Sequence, residues 1–369
     1  MSRIGVMHLT DSLDVGGAER VAVNIVNCLP RERYLPYICT TRRDGPLAHL
    51  VACDVGWLRL KRKRRFDVGA LRCLVAFIRD QNLQILHAHG TSLFTAAVAS
   101  LFPPHPLVVW HGHTGRYACD DRPVLLYRLL STRASGVIVP NHPMAEWSRR
   151  RLRVPADRIW YIPNFVCPSE PDAQPPSLPG MPGSRIVCVA NLRPEKDHLT
   201  LVRAIALIVQ RAPTAHLVLV GAPSDQTYLE LVRKEISTQK LDRNVSLLGE
   251  RMDVPAVLQR CDVGVLSSVS EGFPLALIEY GWAGLPSVAT TVGQCQDVLD
   301  YGRAGVLVPP RSPDQLAEAL LKLIQSPAQR VALGGRFRRR VQEKYGPVPI
   351  MEQICAVYDI VLHAKKGRN

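Results

Sequence analysis

The sequence predicts an α/β protein with two parallel sheets, each covered by helices on both faces. Short β-rich runs alternate with longer amphipathic stretches, which is typical of parallel β-α-β units. A proline-rich stretch interrupts this alternation near the middle of the chain, and the alternation then restarts. The length of 369 residues fits two to three domains. We therefore predict two Rossmann-like domains that face each other across a cleft.

Residues 1–167 form the predicted N-terminal domain. Its strand-like runs are Ile4–Leu9, Pro36–Thr41, Gln84–His89, Leu107–Trp110, Gly136–Val139 and Arg158–Ile162. Amphipathic stretches at Ala18–Leu29 and Val68–Arg79 predict helices between these strands, because apolar residues recur on one face at helical spacing.

Residues 168–183 contain six prolines without hydrophobic periodicity, which predicts a semi-rigid, extended linker. Residues 184–346 form the predicted C-terminal domain. Its elements are the strands Arg185–Ala190, Ala215–Gly221, Val245–Leu248 and Val263–Leu266 and the helices His198–Arg211, Thr227–Gln239 and Val254–Arg260. Residues 347–369 contain a further amphipathic helix, either a simple C-terminal helix or one that crosses back to the N-terminal domain.

Composition and charge place the chain among soluble globular proteins with anionic partners. Apolar residues make up 47% and charged residues 21% of the sequence, which excludes a disordered or fibrous chain. The net charge of +14 is uneven, because residues 1–167 carry 23 basic and 12 acidic side chains. We expect the first domain to meet the more anionic partner.

The ten cysteines are too widely spaced for a zinc motif or a dense disulfide framework, since the closest two are eleven residues apart. The N-terminus enters a strand-like run without the apolar segment of a signal peptide. The longest near-apolar run, Leu93 to Phe102, is shorter than the roughly 20 residues of a spanning helix. We expect a cytoplasmic protein that does not cross a membrane, with peripheral attachment to the cytoplasmic membrane face as an alternative.

The stretch from Ser270 to Glu279 is the most informative segment for function. It follows a predicted strand, and Pro274 occupies a position that a first helical turn accepts. The free amides at the start of that helix, near Phe273, Leu275 and Ala276, predict an anion site suited to phosphate. Glu271 and Glu279 flank this site, and carboxylates accept hydrogen bonds from sugar hydroxyls. The structural alternative is that Glu271 caps the helix and Glu279 lies on its exposed face.

This stretch, followed by Gly284-Leu285-Pro286, resembles the E-x7-E signature of the family 4 retaining glycosyltransferases with the GT-B fold. Three further segments are similar to motifs of that family. They are the glycine-rich donor loop at Gly16-Gly17, the basic pyrophosphate clamp at Asn191 to Lys196 and the nucleotide-base loop around Glu250-Arg251. Asn191 stands where an arginine is common in the family. The resemblance covers almost the whole chain and implies that residues 1–167 bind the acceptor while residues 184–346 bind a nucleotide-sugar.

The resemblance also implies a role for each matching residue. His111 and Glu271 are the expected catalytic residues, which hold the donor sugar, and Glu279 contacts the ribose. Arg193 and Lys196 neutralise the leaving nucleoside diphosphate. The remaining expected donor-binding residues are Gly16, Gly17, Gly272, Phe273, Pro274 and Leu275, and the base-loop residues are Glu250 and Arg251. The sequence contains no D-x-D triplet, so we expect neither a metal nor another cofactor.

Histidines near the predicted strand ends allow two interpretations. His111 follows an apolar strand and matches the family's sugar-contacting histidine, with His113 as the alternative, although a structural role is common for such a residue. The pair His87-x-His89 resembles part of a metal site. We interpret this pair as structural, because no third ligand with suitable spacing lies nearby in the sequence.

The basic segment Lys61 to Arg65 lies in the predicted acceptor domain and is followed by Phe66. It fits attachment to an anionic membrane surface or to a lipid-pyrophosphate acceptor. A solvated loop is the structural alternative. Nucleic acid ranks last, because no stacking platform or named nucleic-acid motif accompanies the charges.

The predicted function is a retaining, metal-independent hexosyltransferase. It would move a sugar from a nucleoside-diphosphate sugar to a glycan or lipid-linked acceptor, in cell-surface polysaccharide or lipid-linked oligosaccharide synthesis. Two alternatives remain: a nucleotide-sugar epimerase on the same scaffold, and a non-enzymatic two-domain ligand sensor. The sequence leaves the sugar, the base and the acceptor open.

Overall fold

A computed structural model describes residues 3–64, 66–113, 124–168 and 176–366. The chain divides into two compact units. The first comprises Met1–Phe165 together with Pro347–Asn369, and the second comprises Val166–Gly346. The first unit is therefore built from two separate stretches of sequence.

The first unit contains a seven-stranded parallel sheet within the described residues, in the order β3-β2-β1-β4-β5-β6-β7. Its strands are β1 (Ile4–Thr10), β2 (Tyr34–Thr40), β3 (Gly56–Arg59), β4 (Leu83–His89), β5 (Leu107–His111), β6 (Ala134–Val139) and β7 (Ile159–Tyr161). Its first five helices are α1 (Gly17–Cys28), α2 (Val68–Asp80), α3 (Leu93–Ala99), α4 (Val124–Ser131) and α5 (His142–Arg150). The central strands are buried because helices cover both faces of a parallel sheet.

The second unit contains a six-stranded parallel sheet in the described part of the chain, in the order β10-β9-β8-β11-β12-β13. Its strands are β8 (Arg185–Val189), β9 (His216–Val220), β10 (Val245–Leu247), β11 (Val263–Leu266), β12 (Ser287–Thr290) and β13 (Val306–Val308). Its helices are α6 (His198–Arg211), α7 (Gln226–Thr238), α8 (Val254–Leu258), α9 (Leu275–Ala283), α10 (Cys295–Val298), α11 (Pro313–Gln325) and α12 (Pro327–Tyr345).

The last helix, α13 (Pro347–Lys366), belongs to the first unit. Tyr358 lies fully buried in that unit, with its hydroxyl 2.6 Å from His87 Nδ1. Arg33 binds the Asp359 carboxylate at 2.7 Å, and Lys365 donates to the His105 carbonyl at 2.8 Å. Helix α13 is thus part of the core of the first unit.

The proline-rich segment between the units is only partly described, because residues 169–175 lie outside the described ranges. Residues 176–183 pack on the second unit. Leu178 is buried in its core, and Arg185 donates to the carbonyls of Leu178 and Gly180 at 2.9 and 2.7 Å. This part of the segment is fixed by contacts to β8.

Both sheets are parallel, as the alternation of strands and helices predicted. The strand order reverses once in each sheet. The reversal lies between β1 and β4 in the first sheet and between β8 and β11 in the second. Connections from two neighbouring strands leave in opposite directions at such a point, which opens a crevice beyond their carboxyl ends. A ligand site in each unit is therefore expected at these two positions.

Two adjacent glycines in α12 differ sharply in their surroundings, which gives a matched test of the second unit's packing. A Cβ on Gly334 would lie 2.1 Å from the Gly284 carbonyl oxygen, whereas a Cβ on Gly335 would meet nothing within 4 Å. We expect Gly334→Ala to lower the free energy of unfolding by about 1–3 kcal/mol through overpacking. Gly335→Ala should raise it by up to about 1 kcal/mol through helix propensity. Urea unfolding followed by circular dichroism measures both; shifts of the same sign would contradict this packing.

Candidate functional site

Lys196 and Glu271 lie at the reversal point of the second sheet. Lys196 is in the loop that follows β8, and Glu271 is in the loop that follows β11, the neighbouring strand. Parallel strands end at the same edge of a sheet, so these two loops meet although 75 residues separate the side chains in sequence.

The two side chains form a largely buried ion pair. Lys196 Nζ lies 2.5 Å from Glu271 Oε1, and the side chains are 24% and 7% exposed. The Ser268 hydroxyl donates to the same carboxylate oxygen at 2.6 Å. Neither of these hydrogen bonds uses the second carboxylate oxygen, Oε2. The arrangement fixes the ammonium group at the sheet edge and leaves two of its three N–H groups outside the bond to Glu271.

Backbone contacts hold these loops in place. Val269 N–H donates to the Glu195 carbonyl at 2.9 Å, and the Ser267 hydroxyl donates to the Lys196 carbonyl at 3.0 Å. A Cβ on Gly293, in the loop after β12, would lie 2.1 Å from the Glu271 carbonyl oxygen. The loops after β8, β11 and β12 therefore form one packed surface around the ion pair.

Helix α9 begins at Leu275, one residue later than the predicted first-turn position of Pro274 implies. Pro274 directly precedes the helix with a non-helical ψ of 87°. The Leu275 N–H donates to the Phe273 carbonyl at 3.1 Å. It is therefore not one of the free amides predicted at the start of this helix. The Phe273 ring lies 5.8 Å from that of Tyr345, and Gly272 is half-buried.

Glu279 lies one turn inside α9 and is half-buried. The next residue, Tyr280, is fully buried and bridges two strands. Its hydroxyl accepts a hydrogen bond from Val189 N–H at 2.7 Å and donates to the Val265 carbonyl at 3.2 Å. This bridge fixes α9 against β8 and β11. It therefore also fixes the backbone position of Glu279.

Arg193 is exposed and directly precedes a short 3-10 turn, Pro194–Lys196. Asn191, which stands where the family commonly has arginine, ties two loops together. Its Oδ1 accepts from Ala222 N–H at 3.1 Å, and the Ala222 carbonyl accepts from Leu192 N–H at 2.9 Å. The departure at Asn191 therefore has a local structural role, and Arg193 is the exposed guanidinium of this loop.

The two residues of the predicted base loop, Glu250 and Arg251, have different surroundings. Arg251 forms two hydrogen bonds with the Asp253 carboxylate, at 2.7 and 2.5 Å. The hydrogen bonds from Arg251 hold the pKa of Asp253 below its ordinary value. Glu250 is exposed and follows Gly249, whose carbonyl accepts from Gly221 N–H at 2.8 Å. Glu250 is thus the acceptor that this loop presents to solvent.

The glycine pair of the predicted donor loop lies at the start of α1. Gly17 is the first residue of this helix, and Gly16 precedes it in an extended conformation. A Cβ on Gly16 would lie 2.3 Å from the Glu19 carboxylate, so glycine leaves room for that side chain over the helix start.

His111 lies in a stack of five histidines at the reversal point of the first sheet. Strand register places His8 of β1 beside His87 of β4, and His89 of β4 beside His111 of β5. His113 follows β5 and stacks on His111 with ring centroids 4.3 Å apart. Side chains two residues apart on a strand share one face, which explains why the H-x-H pairs converge.

Hydrogen bonds connect these rings into a chain that passes through Tyr358. From one end, His111 Nδ1 lies 3.2 Å from His87 Nε2, and His87 Nδ1 lies 2.6 Å from the Tyr358 hydroxyl. That hydroxyl lies 3.4 Å from His8 Nε2. His8 Nδ1 lies 3.0 Å from His89 Nε2, and His89 Nδ1 lies 2.8 Å from His113 Nε2.

Burial decides the charge state of these imidazoles. It lowers the pKa of His111 well below its ordinary value, and the neighbouring histidines lower it further. Burial also lowers the pKa of His113 to about 3. Both rings are therefore neutral at pH 7, so they can exchange hydrogen bonds but cannot supply positive charge to a phosphate.

The structure overturns one premise of the sequence analysis. A metal at His87 and His89 was disfavoured because no third ligand lay nearby in the sequence. Folding supplies third ligands from other strands: His8 joins His87 and His89, and His111 and His113 join His89, with one ligand atom of each within 4.8 Å of the others. His8 and Tyr358 were missed because no local motif contains them.

The basic segment is less uniform than its sequence suggests. Lys61, Lys63 and Arg64 are exposed, whereas the Arg62 side chain is only 9% exposed and lies 3.4 Å from the Asp11 carboxylate. Arg65 lies outside the described residues, as do Thr114, Gly115 and Arg116 beyond the histidine strand. Phe66 is 71% exposed and packs edge-on against Phe94.

Two of the general expectations concern membranes and cysteines. None of the described helices combines the length and apolar character needed to span a bilayer. The nine cysteines in the described ranges are all free thiols.

Two family models match the chain. The model described as Glycosyltransferase Family 4 matches residues 15–170, and the model described as Glycosyl transferases group 1 matches residues 183–326. The two matched stretches together cover most of the chain.

The curated relatives include a galactosyltransferase and a synthase. The chain is 23% identical to the UDP-Gal:alpha-D-GlcNAc-diphosphoundecaprenol alpha-1,3-galactosyltransferase of Escherichia coli, with 98% of each chain covered. It is 29% identical to the N-acetyl-alpha-D-glucosaminyl L-malate synthase of Bacillus anthracis, where the match covers 50% of this chain and 47% of the relative. The chain thus matches about half the length of one relative and nearly all of the other.

Solved structures show the same fold. The Anabaena protein HepE, solved in complex with UDP and glucose, has a TM-score of 0.79 and 21% identity, with 96% of this chain and 99% of that chain covered. The sucrose-phosphate synthase of Thermosynechococcus elongatus has a TM-score of 0.77 and 20% identity, with 98% and 100% covered. These neighbours establish the GT-B fold.

The buried ion pair generates a stability prediction. Lys196→Met leaves the Glu271 carboxylate buried without its cation, so we expect the free energy of unfolding to fall by about 3 kcal/mol. Adding Glu271→Gln in the double variant should recover part of this loss, because no uncompensated charge remains. Urea unfolding measures both variants against the parent chain.

Arg203→Met is the matched control for this experiment. Arg203 forms an ion pair with Glu235 at 2.9 Å in the same unit, but its side chain is 53% exposed. The control should lose less than about 1 kcal/mol. An equal loss in Lys196→Met and Arg203→Met would contradict a buried, coupled pair at the sheet edge.

Proposed function

The chain belongs to the family 4, group 1 glycosyltransferases of the GT-B fold, and we propose that it moves a sugar from a nucleoside diphosphate to an acceptor hydroxyl with retention of configuration. The observation that carries this proposal is the Lys196–Glu271 pair at the reversal point of the second sheet. Related structures support a uridine donor, since HepE was solved with UDP and with UDP-glucose.

The basic loop after β8 is suited to the leaving diphosphate. Glu271 holds the Lys196 ammonium in one position, and two N–H groups of that ammonium remain outside the ion pair. Arg193, exposed in the same loop, supplies a planar guanidinium that can bind two phosphate oxygens at once. We assign to Lys196 and Arg193 the stabilisation of the negative charge that builds up on the leaving diphosphate as the glycosidic bond breaks.

The two glutamates are assigned to hydroxyls. Glu271 Oε1 is already occupied by Lys196 and Ser268, so Oε2 is the oxygen that we assign to a hydroxyl of the donor sugar. Glu279, one turn inside α9, is assigned to the ribose. Carboxylates suit both roles because they accept hydrogen bonds strongly.

We assign His111 to the donor sugar, which its uncharged ring would contact through a hydrogen bond. Its ring is uncharged at pH 7 and its Nε2 is the nitrogen not held by His87. In the mechanism that we propose, the leaving diphosphate itself accepts the proton of the acceptor hydroxyl on the front face of the sugar. The protein then contributes charge stabilisation and orientation, so this transfer needs no divalent metal.

The acceptor that we propose is a glycan or lipid-linked sugar of a cell-surface polysaccharide or oligosaccharide pathway. The excess of basic residues in the first 167 positions supports an anionic acceptor or membrane surface. Lys61, Lys63 and Arg64 are exposed beside the exposed ring of Phe66, a combination that suits an anionic bilayer surface.

The transfer proposal is tested with a panel of UDP-, GDP-, ADP- and TDP-sugars, with and without glycan acceptors. We expect diphosphate release that depends on an acceptor, that continues in EDTA and that gives a product with the donor's anomeric configuration by NMR. Glu279→Ala and Lys196→Ala should each lower kcat/KM at least about 100-fold, because they remove donor contacts.

Arg211→Ala is the control variant, since Arg211 is an exposed, ion-paired residue of the same unit. It should keep wild-type kinetics. Circular dichroism separates lost donor contacts from lost folding in Lys196→Ala. Near-normal turnover of both site variants would refute the assignment. Sugar interconversion without an acceptor would identify an epimerase, and nucleotide-sugar binding without turnover would identify a sensor.

The membrane proposal is tested by sedimentation with phosphatidylglycerol-containing and neutral vesicles. Lys63→Gln with Arg64→Gln should weaken binding to the anionic vesicles by about 1 kcal/mol per residue at low salt. Arg211→Gln with Lys240→Gln removes the same charge from the second unit and should leave binding unchanged. Equal losses in both double variants would show that only net charge matters.

A further inference from the structure

Three histidines at the ends of β4 and β5 bring together ring nitrogens of which the transfer proposal uses only Nε2 of His111. One ligand atom each of His89, His111 and His113 lies within 4.8 Å of those of the other two. His89 Nδ1 faces His113 Nε2 at 2.8 Å, and the His111 ring packs against both rings. Nitrogens in a tetrahedral zinc site lie about 3.4 Å apart, so the 2.8 Å contact has to open and the wider separations, at most 4.8 Å, have to close when an ion binds.

Two nitrogens of this group are buried without a hydrogen-bond partner among the described residues. They are His111 Nε2 and His113 Nδ1. A buried polar atom without a partner costs free energy, and such atoms in native proteins call for an explanation such as an ion or a ligand. Here both belong to the same trio, and an ion bound by His111 Nε2 would account for the first of them.

The surrounding residues orient two of the three rings. His8 Nδ1 holds His89 through Nε2, and His87 Nε2 holds His111 through Nδ1. Each of these rings therefore has one nitrogen fixed by an outer neighbour. The other nitrogen is Nδ1 in His89, which faces His113, and Nε2 in His111, which has no partner among the described residues. Metal-binding histidines are held in this manner, with the second ring nitrogen bound to an outer group.

The proton arrangement of the chain is compatible with three free lone pairs. If His89 carries its proton on Nε2 and His111 on Nδ1, then His8 and His87 both donate to the Tyr358 oxygen. A phenol oxygen has lone pairs for both bonds. Without an ion, His113 carries its proton on Nε2 and donates it to His89 Nδ1 at 2.8 Å. When the ion binds, this proton moves to His113 Nδ1, so no proton has to leave the network.

We propose that His89, His111 and His113 form a binding site for one late first-row transition-metal ion of the Zn²⁺ class. An all-imidazole ligand set suits Zn²⁺, Co²⁺, Ni²⁺ and Cu²⁺ rather than Mg²⁺ or Ca²⁺, which prefer oxygen ligands. The neighbouring trio of His8, His87 and His89 is less suited, because all six of its ring nitrogens lie within hydrogen-bonding distance of a partner, whereas His111 Nε2 in the proposed trio has none among the described residues.

This site has one consequence for transfer, and that consequence rests on the proposed function. His111 Nε2, assigned above to the donor sugar, becomes a metal ligand when the ion binds. Zn²⁺ should therefore inhibit transfer, and EDTA should reverse the inhibition. Metal binding itself is measured without donor or acceptor, so a failure of the metal site and a failure of the transfer proposal give different results.

The test uses the untagged full chain with Cys53→Ser and Cys73→Ser, which removes its two exposed described thiols. Calorimetry should show one Zn²⁺ per chain and no binding of Mg²⁺. Co²⁺ should give visible ligand-field bands without a thiolate charge-transfer band. His113→Gln should weaken Zn²⁺ binding at least about tenfold, whereas His363→Gln, which changes an exposed histidine of α13, should leave it unchanged.

His113→Cys keeps the test informative if the glutamine variant folds poorly. A cysteine at this position is still a ligand for Zn²⁺ and Co²⁺, so binding should persist and the Co²⁺ spectrum should gain a thiolate charge-transfer band. The absence of Zn²⁺ binding to the parent chain, unchanged affinity in His113→Gln, or a His113→Cys spectrum without that band would overturn the proposal.

Discussion

Parallel strand pairing with one reversal of strand order is the constraint on which both clusters of this protein depend. Parallel strands end at one edge, so residues far apart in sequence meet where two neighbouring strands send their connections in opposite directions. In the first sheet the reversal joins β1 and β4, and the histidines gather there. In the second it joins β8 and β11, and Lys196 meets Glu271 there.

The two clusters use the same position for different chemistry. Neutral, buried imidazoles in the first unit offer directed hydrogen bonds or metal coordination, whereas the second unit holds opposite charges in a packed loop surface. Burying an ion pair costs desolvation free energy, which the mutual attraction offsets only with good geometry. The hydrogen bond from the Ser268 hydroxyl to Glu271 and the backbone hydrogen bond between the loops around Lys196 supply that geometry.

Hydrophobic alternation in the sequence was enough to predict the two parallel sheets, and β1, β4, β11 and α6 lie within a residue or so of their predicted bounds. The strands β3, β12 and β13 were missed. In β3, an edge strand, every residue is at least partly exposed, so it has no buried apolar run. Lys196 and Glu271 were identified separately, but their contact depends on register and loop packing. The same is true of His8 and Tyr358, whose partner His87 lies 79 and 271 residues away.

Helix α13 closes the core of the first unit from the far end of the sequence, through Tyr358 and Asp359. On the ribosome, β1 to β7 therefore emerge long before the helix that completes their core. The second unit is continuous and can finish folding in between. The part of this protein that is made first is completed last, and during that interval the faces of β1, β4 and β6 that α13 covers remain open to chaperones or to aggregation.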